Sequence, residues 1–72
     1  MIPTISICIA AYNVELYISE CLLSIFQFEN TIRKEIIIVD DCSNDDTVKI
    51  VRSMIEKYPE QNISLILNHQ NL

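Results

Sequence analysis

Residues Ile36-Ile37-Ile38-Val39 are four β-branched side chains in a row, and they run straight into Asp40 and Asp41. The run is short and β-branched, which favours a strand over a helix. No polar residue alternates within it, so both of its faces are expected to be buried, as in a parallel sheet covered on each side. Asp40 and Asp41 then stand where the strand leaves the sheet. In open α/β sheets ligands bind outside the carboxyl ends of the strands. Chemistry is expected here, and the rest of the chain is read around this stretch.

Glycine is absent from the 72 residues. Without it there is neither a G-x-G-x-x-G fingerprint nor a P-loop, so phosphates cannot be held in the usual glycine-lined way. Five basic residues against ten acidic ones give a net charge of -5. That argues against a nucleic-acid polymer as partner, which needs a basic footprint, but not against a single nucleotide. Half of the residues are hydrophobic, which marks a globular chain. One of this length buries only roughly 60% of its unfolded surface. No apolar run approaches the roughly 18 residues of a membrane span, and no signal peptide is read at the N-terminus. Cys8, Cys21 and Cys42 lack metal-ligand spacing and read as reduced cytosolic thiols acting as small hydrophobes.

The first strand is expected over Thr4 to Ala10, opened by Pro3, with Ile5, Ile7 and Ile9 on one face and Ser6, Cys8 and Ala10 on the other. Ala11-Tyr12-Asn13 reads as a turn, with Asn13 as N-cap of a helix from about Val14 to Phe28. Tyr17, Cys21, Ile25 and Phe28, with Ile18 and Leu22 alongside, form its apolar face. A polar connection, 29–34, leads to the second strand. Ser43 can cap a second helix, with Asp45 and Asp46 in its first turn and Val48, Val51, Ile55 and Tyr58 as its stripe. Pro59 ends it. Ile63 to Leu67 reads as a third strand, and residues 68–72 leave it. Tyr17, Phe26, Phe28 and Tyr58 read as core, Lys49, Arg52, Glu56 and Lys57 as a solvated face, and His69 as solvated.

The order β-α-β-α-β implies a parallel sheet with right-handed crossovers. Two successive crossovers in one direction place both helices on one face. The second strand is apolar on both faces, so one face is left without cover. The chain is therefore expected to be part of a longer protein, incomplete at its C-terminus, or to bury that face in a partner.

Ala10-Ala11-Tyr12-Asn13 and Asp40-Asp41-Cys42-Ser43 should lie side by side at neighbouring strand ends. Consecutive strand residues point to opposite faces, so Asp40 and Asp41 do not form an acid–base pair. One is suited to hold the turn through backbone N–H groups. The other is suited to meet a ligand N–H, such as a nucleobase edge, with Tyr12 offering a ring to stack on. Spacing alone leaves a purely structural role for both carboxylates equally open.

Three segments together resemble the start of a family 2 glycosyltransferase of the GT-A fold: Ile9-Ala10-Ala11-Tyr12-Asn13-Val14-Glu15, Ile36 through Asp40-Asp41-Cys42-Ser43-Asn44-Asp45-Asp46-Thr47, and Asn68-His69-Gln70-Asn71-Leu72. The resemblance spans nearly the whole chain. It implies an α/β, Rossmann-like half of a GT-A domain, three parallel strands with two helices on one face, binding a nucleotide sugar. By motif position, Ala10 would lend its backbone to the base, Tyr12 would pack on it and Asp41 would bind its N–H edge. Ala11 and Ser43 belong to the same nucleotide site. Asp40, Asn13 and Glu15 would touch the base, the ribose or the turn. Two residues depart from the family pattern: Ala10 replaces its usual proline, and Cys42 its usual glycine. At a position of positive φ, cysteine is strained.

The resemblance further implies a UDP-sugar donor and, as acceptor, a glycan or lipid-linked glycan, in cell-surface polysaccharide or glycan synthesis. It implies a divalent metal, Mn or Mg, in the full-length enzyme, a cytoplasmic site of action, and membrane association through other regions. The family's metal-binding Asp-x-Asp motif and its catalytic base match nothing in these residues. The segment alone is therefore not expected to transfer sugar. A different reading is a non-catalytic remnant or interaction module whose uncovered sheet face binds a partner chain or a second copy. A phosphoacceptor receiver domain is set aside, because its acidic pair follows strand one and its acceptor aspartate strand three.

Overall fold

The computed structural model describes residues 4–28 and 32–69. The roles read for Pro3 and for residues 29–31 and 70–72, including most of the third motif, lie outside these residues. Five elements follow in order: β1 (Thr4–Ala11), α1 (Ile18–Gln27), β2 (Arg33–Asp41), α2 (Thr47–Lys57) and β3 (Ile63–Asn68). The strands form one parallel sheet in the order β1-β2-β3. β2, with its β-branched run, is therefore the centre strand and bonds to a neighbour on each side. Its register sets Ala11 beside Asp40, and Asp41 beside Asn68 of β3.

Both helices cover the same face. Ile36 and Ile38 of β2 are buried against Ile18 and Leu22 of α1 and Val51 and Met54 of α2, with Ile9, Ile63 and Leu65 packed beside them. Each helix presents its core residues at i, i+4 and i+7: Ile18, Leu22 and Ile25 on α1, and Thr47, Val51 and Met54 on α2. That spacing is one stripe of a helix of 3.6 residues per turn. The rings of Phe26 and Tyr58 meet at 5.1 Å and join the far ends of the two helices. Lys34, at the start of β2, donates to the carbonyl of Ile25 at 3.2 Å and to that of Phe28. It thus serves the C-terminal carbonyls of α1, whose own last turn has no basic residue.

The opposite face carries Ser6, Cys8 and Ala10 of β1, Glu35, Ile37, Val39 and Asp41 of β2, and Ser64, Ile66 and Asn68 of β3. Ile66 is half exposed, and Ser6, Cys8 and Ala10 of β1 are exposed. Among the described residues nothing packs over this face, and no helix is long and apolar enough to cross a membrane.

Several local expectations differ from the structure. α1 begins at Ile18, preceded by turns, and its N-cap position is Tyr17, with no side-chain cap. Asn13 is not the cap, because its side chain is engaged by another loop. The inward stripe of α1 is Ile18, Leu22, Ile25 and Phe26, whereas Tyr17, Cys21 and Phe28 are exposed. Ile18, Leu22 and Ile25 belong to the expected apolar face, and the sheet takes that side of it, leaving Tyr17, Cys21 and Phe28 at the margin. α2 begins at Thr47 with Asp46 as N-cap residue, so Asp45 and Asp46 precede its first turn and Ser43 lies well outside it. Arg33 and Lys34 belong to β2 rather than to the connection. All three cysteines are free and exposed, so they do not serve as buried hydrophobes.

Candidate functional site

The carboxyl ends of β1 and β2 open into two loops, 12–17 and 42–46, and the site residues read from the sequence gather there. Asp40 points toward the helices and is 3% exposed. Its carboxylate accepts the Ser43 N–H at 3.0 Å and the Ser43 hydroxyl at 2.5 Å, which closes the turn after β2. The Ser43 oxygen in turn accepts the N–H of Asn13 at 2.9 Å. Ala11, paired with Asp40, is buried on the same side.

The two loops are laced by side chains. The Asn13 carbonyl oxygen accepts the N–H of Asn44 at 3.0 Å. The Glu15 carboxylate accepts the N–H of Asp46 at 3.2 Å. In the other direction, the Thr47 hydroxyl accepts the N–H of Val14 at 2.9 Å, and the Asp45 carboxylate accepts the N–H of Glu15 at 3.3 Å. Asp45 also accepts the Thr47 N–H at 2.9 Å and its hydroxyl at 2.5 Å. Burial raises the Asp45 pKa, but the hydrogen bonds from the Thr47 hydroxyl and from the N–H groups of Thr47 and Glu15 outweigh it. The net result is a carboxyl below its ordinary range.

Asp45 was read only as a first-turn acid and Thr47 only as the end of the motif, neither as a candidate site residue, although oxygen-bearing side chains at alternate positions, Ser43, Asp45 and Thr47, were the available signal.

The consecutive N–H groups of Asn13, Val14 and Glu15 are each taken by a protein oxygen. Such a run of donors would otherwise suit an anion. Here it is filled from within, which leaves the outward side of the strand ends for a ligand. Ala10 is exposed on the uncovered face, Asp41 is half-buried on that same face, and Tyr12 follows β1 with 47% of its surface open. Asp41 stands outside the lacing that holds Asp40 and Asp45. So Asp40, Asn13, Glu15 and Ser43 hold the loops, while Ala10, Tyr12 and Asp41 are the site residues left facing outward.

Two residues have a left-handed backbone, Asn13 at φ 50° and Cys42 at φ 61°. Asparagine tolerates that region, whereas cysteine pays a Cβ clash there. The Cys42 thiol lies 3.8 Å from the His69 carbonyl, toward which it donates. Among the described residues no three His, Cys, Asp or Glu side chains gather as metal ligands, and the carboxylates of Asp40 and Asp45 are engaged by protein donors. The described residues therefore do not fit a metal site.

The chain is similar to known proteins in sequence and fold. A dolichyl-phosphate β-glucosyltransferase of Dictyostelium discoideum is 39% identical over 93% of the chain, which spans 23% of that protein. An uncharacterised protein of Mycobacterium tuberculosis is 43% identical over 74% of the chain, or 16% of its own length. Among solved structures, S. aureus TarS 1-349 in complex with UDP matches 97% of the chain at 36% identity and a TM-score of 0.72, over 20% of its own length. The chain thus spans about a fifth of the length of these relatives. Its fold is the Rossmann-like β-α-β-α-β part of a GT-A domain. The family model for glycosyl transferase family 2 matches residues 6–72, and the chain belongs to that family.

Proposed function

We propose that this chain is the nucleotide-recognition segment of a glycosyltransferase that moves a sugar from a nucleotide-diphosphate donor, with UDP as the nucleotide, to an acceptor hydroxyl. The observation that carries the reading is the outward trio of Ala10, Tyr12 and Asp41 at the carboxyl ends of two parallel strands, beside loops whose own donors are already satisfied. The Asp41 carboxylate accepts the ring N–H of a uracil. The Tyr12 ring offers a face for the base, and the small Ala10 lets the base approach the backbone. The UDP complex of TarS, at 36% identity, supports UDP as the nucleotide. The dolichyl-phosphate β-glucosyltransferase relative supports a lipid-linked acceptor. A divalent metal and the base that deprotonates the acceptor belong, in this reading, to residues other than these.

The test is titration of the chain with UDP to millimolar concentration, followed by amide resonances and melting temperature. Wild type is expected to shift at Tyr12 and Asp41 and to melt higher. Asp41→Ala is expected to lose both responses while remaining folded. Identical behaviour of the two proteins would sink nucleotide recognition. It would leave the uncovered sheet face, with Ile66 half exposed, as a docking surface for another chain.

A further inference from the structure

Thr47 is 0% exposed, yet it is a polar residue at the first position of a helix. Its hydroxyl accepts the Val14 N–H at 2.9 Å and donates to Asp45 at 2.5 Å. The other Asp45 oxygen accepts the next N–H along, that of Glu15, at 3.3 Å. The pair therefore holds two successive amides of the segment just after Tyr12 and Asn13, across 33 and 30 residues of chain. Ser43 holds the amide before them, that of Asn13, and is itself held by Asp40. The segment after β1 has no backbone ladder of its own between Ala11 and the turn at Val14, where Tyr17 and Ile18 bond back to the Val14 carbonyl. Its position relative to β2 is set by these side chains.

We propose that Thr47, acting through Asp45, is a positioning residue for nucleotide binding: the pair fixes the β1–α1 loop so that Tyr12 stands at a set distance from Asp41. Thr47 cannot touch a ligand itself, because it has no exposed surface. Without its hydroxyl the Val14 N–H loses its acceptor and Asp45 loses a donor. The loop can then drift, and Tyr12 with it. Preorganisation of this kind acts on affinity by sparing the ligand the ordering of the loop. The inference rests on the nucleotide reading above and names what aligns that site.

Thr47→Val keeps the size and β-branching of the side chain and removes only the hydroxyl, whereas Thr47→Ser keeps the hydroxyl. UDP affinity is read by amide shifts at Tyr12 and Asp41, on samples kept well below each protein's melting temperature. Thr47→Val is expected to bind about tenfold more weakly, the effect of losing an ordered acceptor, and Thr47→Ser within about twofold of wild type, as the retained hydroxyl requires. Met54→Ala, on the same helix and in the core, is expected to melt lower with unchanged affinity in the folded protein. Asp45→Asn repeats the test at a partly exposed position if Thr47→Val does not fold, with the same weakening expected. Full affinity in Thr47→Val or, failing that, in Asp45→Asn overturns the inference while leaving the nucleotide reading in place. So does a Thr47→Ser protein as weak as Thr47→Val, since affinity would then not follow the hydroxyl. A wild type that does not respond to UDP overturns both readings.

Discussion

Asp40 and Asp41 are neighbours on β2 that face opposite sides of the sheet. Asp40 is buried beneath the helices and closes the turn through Ser43, and Asp41 lies half-buried on the uncovered face. Truncating the two should therefore separate stability from binding. Asp40→Ala removes the acceptors of a part-buried N–H and hydroxyl, which costs about 1–3 kcal/mol. Asp41→Ala breaks no bond of the loop lacing and should change stability by less than about 0.5 kcal/mol. Urea unfolding reads both. A larger loss for Asp41→Ala than for Asp40→Ala would mean that the roles are reversed.

Cys42 sits at φ 61°, where a Cβ clashes with the following carbonyl at a cost of about 1–2 kcal/mol. Cys42→Gly removes the clash but frees the unfolded chain, which takes back about 0.4–1 kcal/mol. The net expectation is a gain of about 0–1.6 kcal/mol. Cys42→Val should fall below wild type, because β-branching is worse tolerated at positive φ. The urea midpoints of the three proteins should therefore rank Gly, Cys, Val. A glycine variant less stable than wild type would show that the thiol contact with the His69 carbonyl outweighs the strain.

The parallel sheet and the bare face were legible because they follow from general rules. A β-branched run without polar alternation reads as a buried parallel strand, and two crossovers in one direction share a face. The central place of β2 comes only from the strand order. What was not legible depends on partners far along the chain. Asn13 looks like a helix cap to any local rule. Its oxygen is instead taken by the Asn44 N–H, 31 residues on, and α1 starts five residues later. Of the apolar face expected for α1, Ile18, Leu22 and Ile25 turn inward, while Tyr17, Cys21 and Phe28 are exposed. Thr47 has a polar side chain, so periodicity passes over it as a core position. It is buried because the β1–α1 loop brings it the Val14 N–H. In the candidate site, the motif residues gather at one end of the sheet, and the opposite facing of Asp40 and Asp41 was legible from strand alternation; the lacing of Asn13, Glu15 and Ser43 across the two loops was not.

That division of the sheet into covered and uncovered faces gives a further expectation. Ile38 is 0% exposed and Ile66 is 50% exposed. Ile→Val at either position keeps the β-branch, so strand preference is held constant and only the lost methyl is compared. Ile38→Val should cost about 0.5–1.5 kcal/mol. Ile66→Val should cost less than about 0.5 kcal/mol, as at a surface position. Denaturant midpoints decide this. Equal losses would mean that something in solution covers Ile66, and sedimentation velocity of the same samples would show whether it is a second copy.

Asp45 makes stability depend on pH in a direction that its hydrogen bonds determine. Its carboxyl is held below the ordinary range in the folded chain, so on acidification the unfolded state takes up the proton first. The stabilisation is therefore complete above the ordinary aspartate value, about 3.9. It is lost as pH falls through the lower folded value. Asp45→Asn has no such titration. The remaining carboxylates titrate in both proteins and largely cancel in the difference between them. At neutral pH wild type should be the more stable, since the amide leaves either the Glu15 N–H or a Thr47 donor without an oxygen. Below about pH 4 the gap should narrow toward zero. Urea midpoints of the two proteins across this range measure it. A gap that stays constant with pH would show that the loops are held by the shape of the Asp45 side chain and not by its charge.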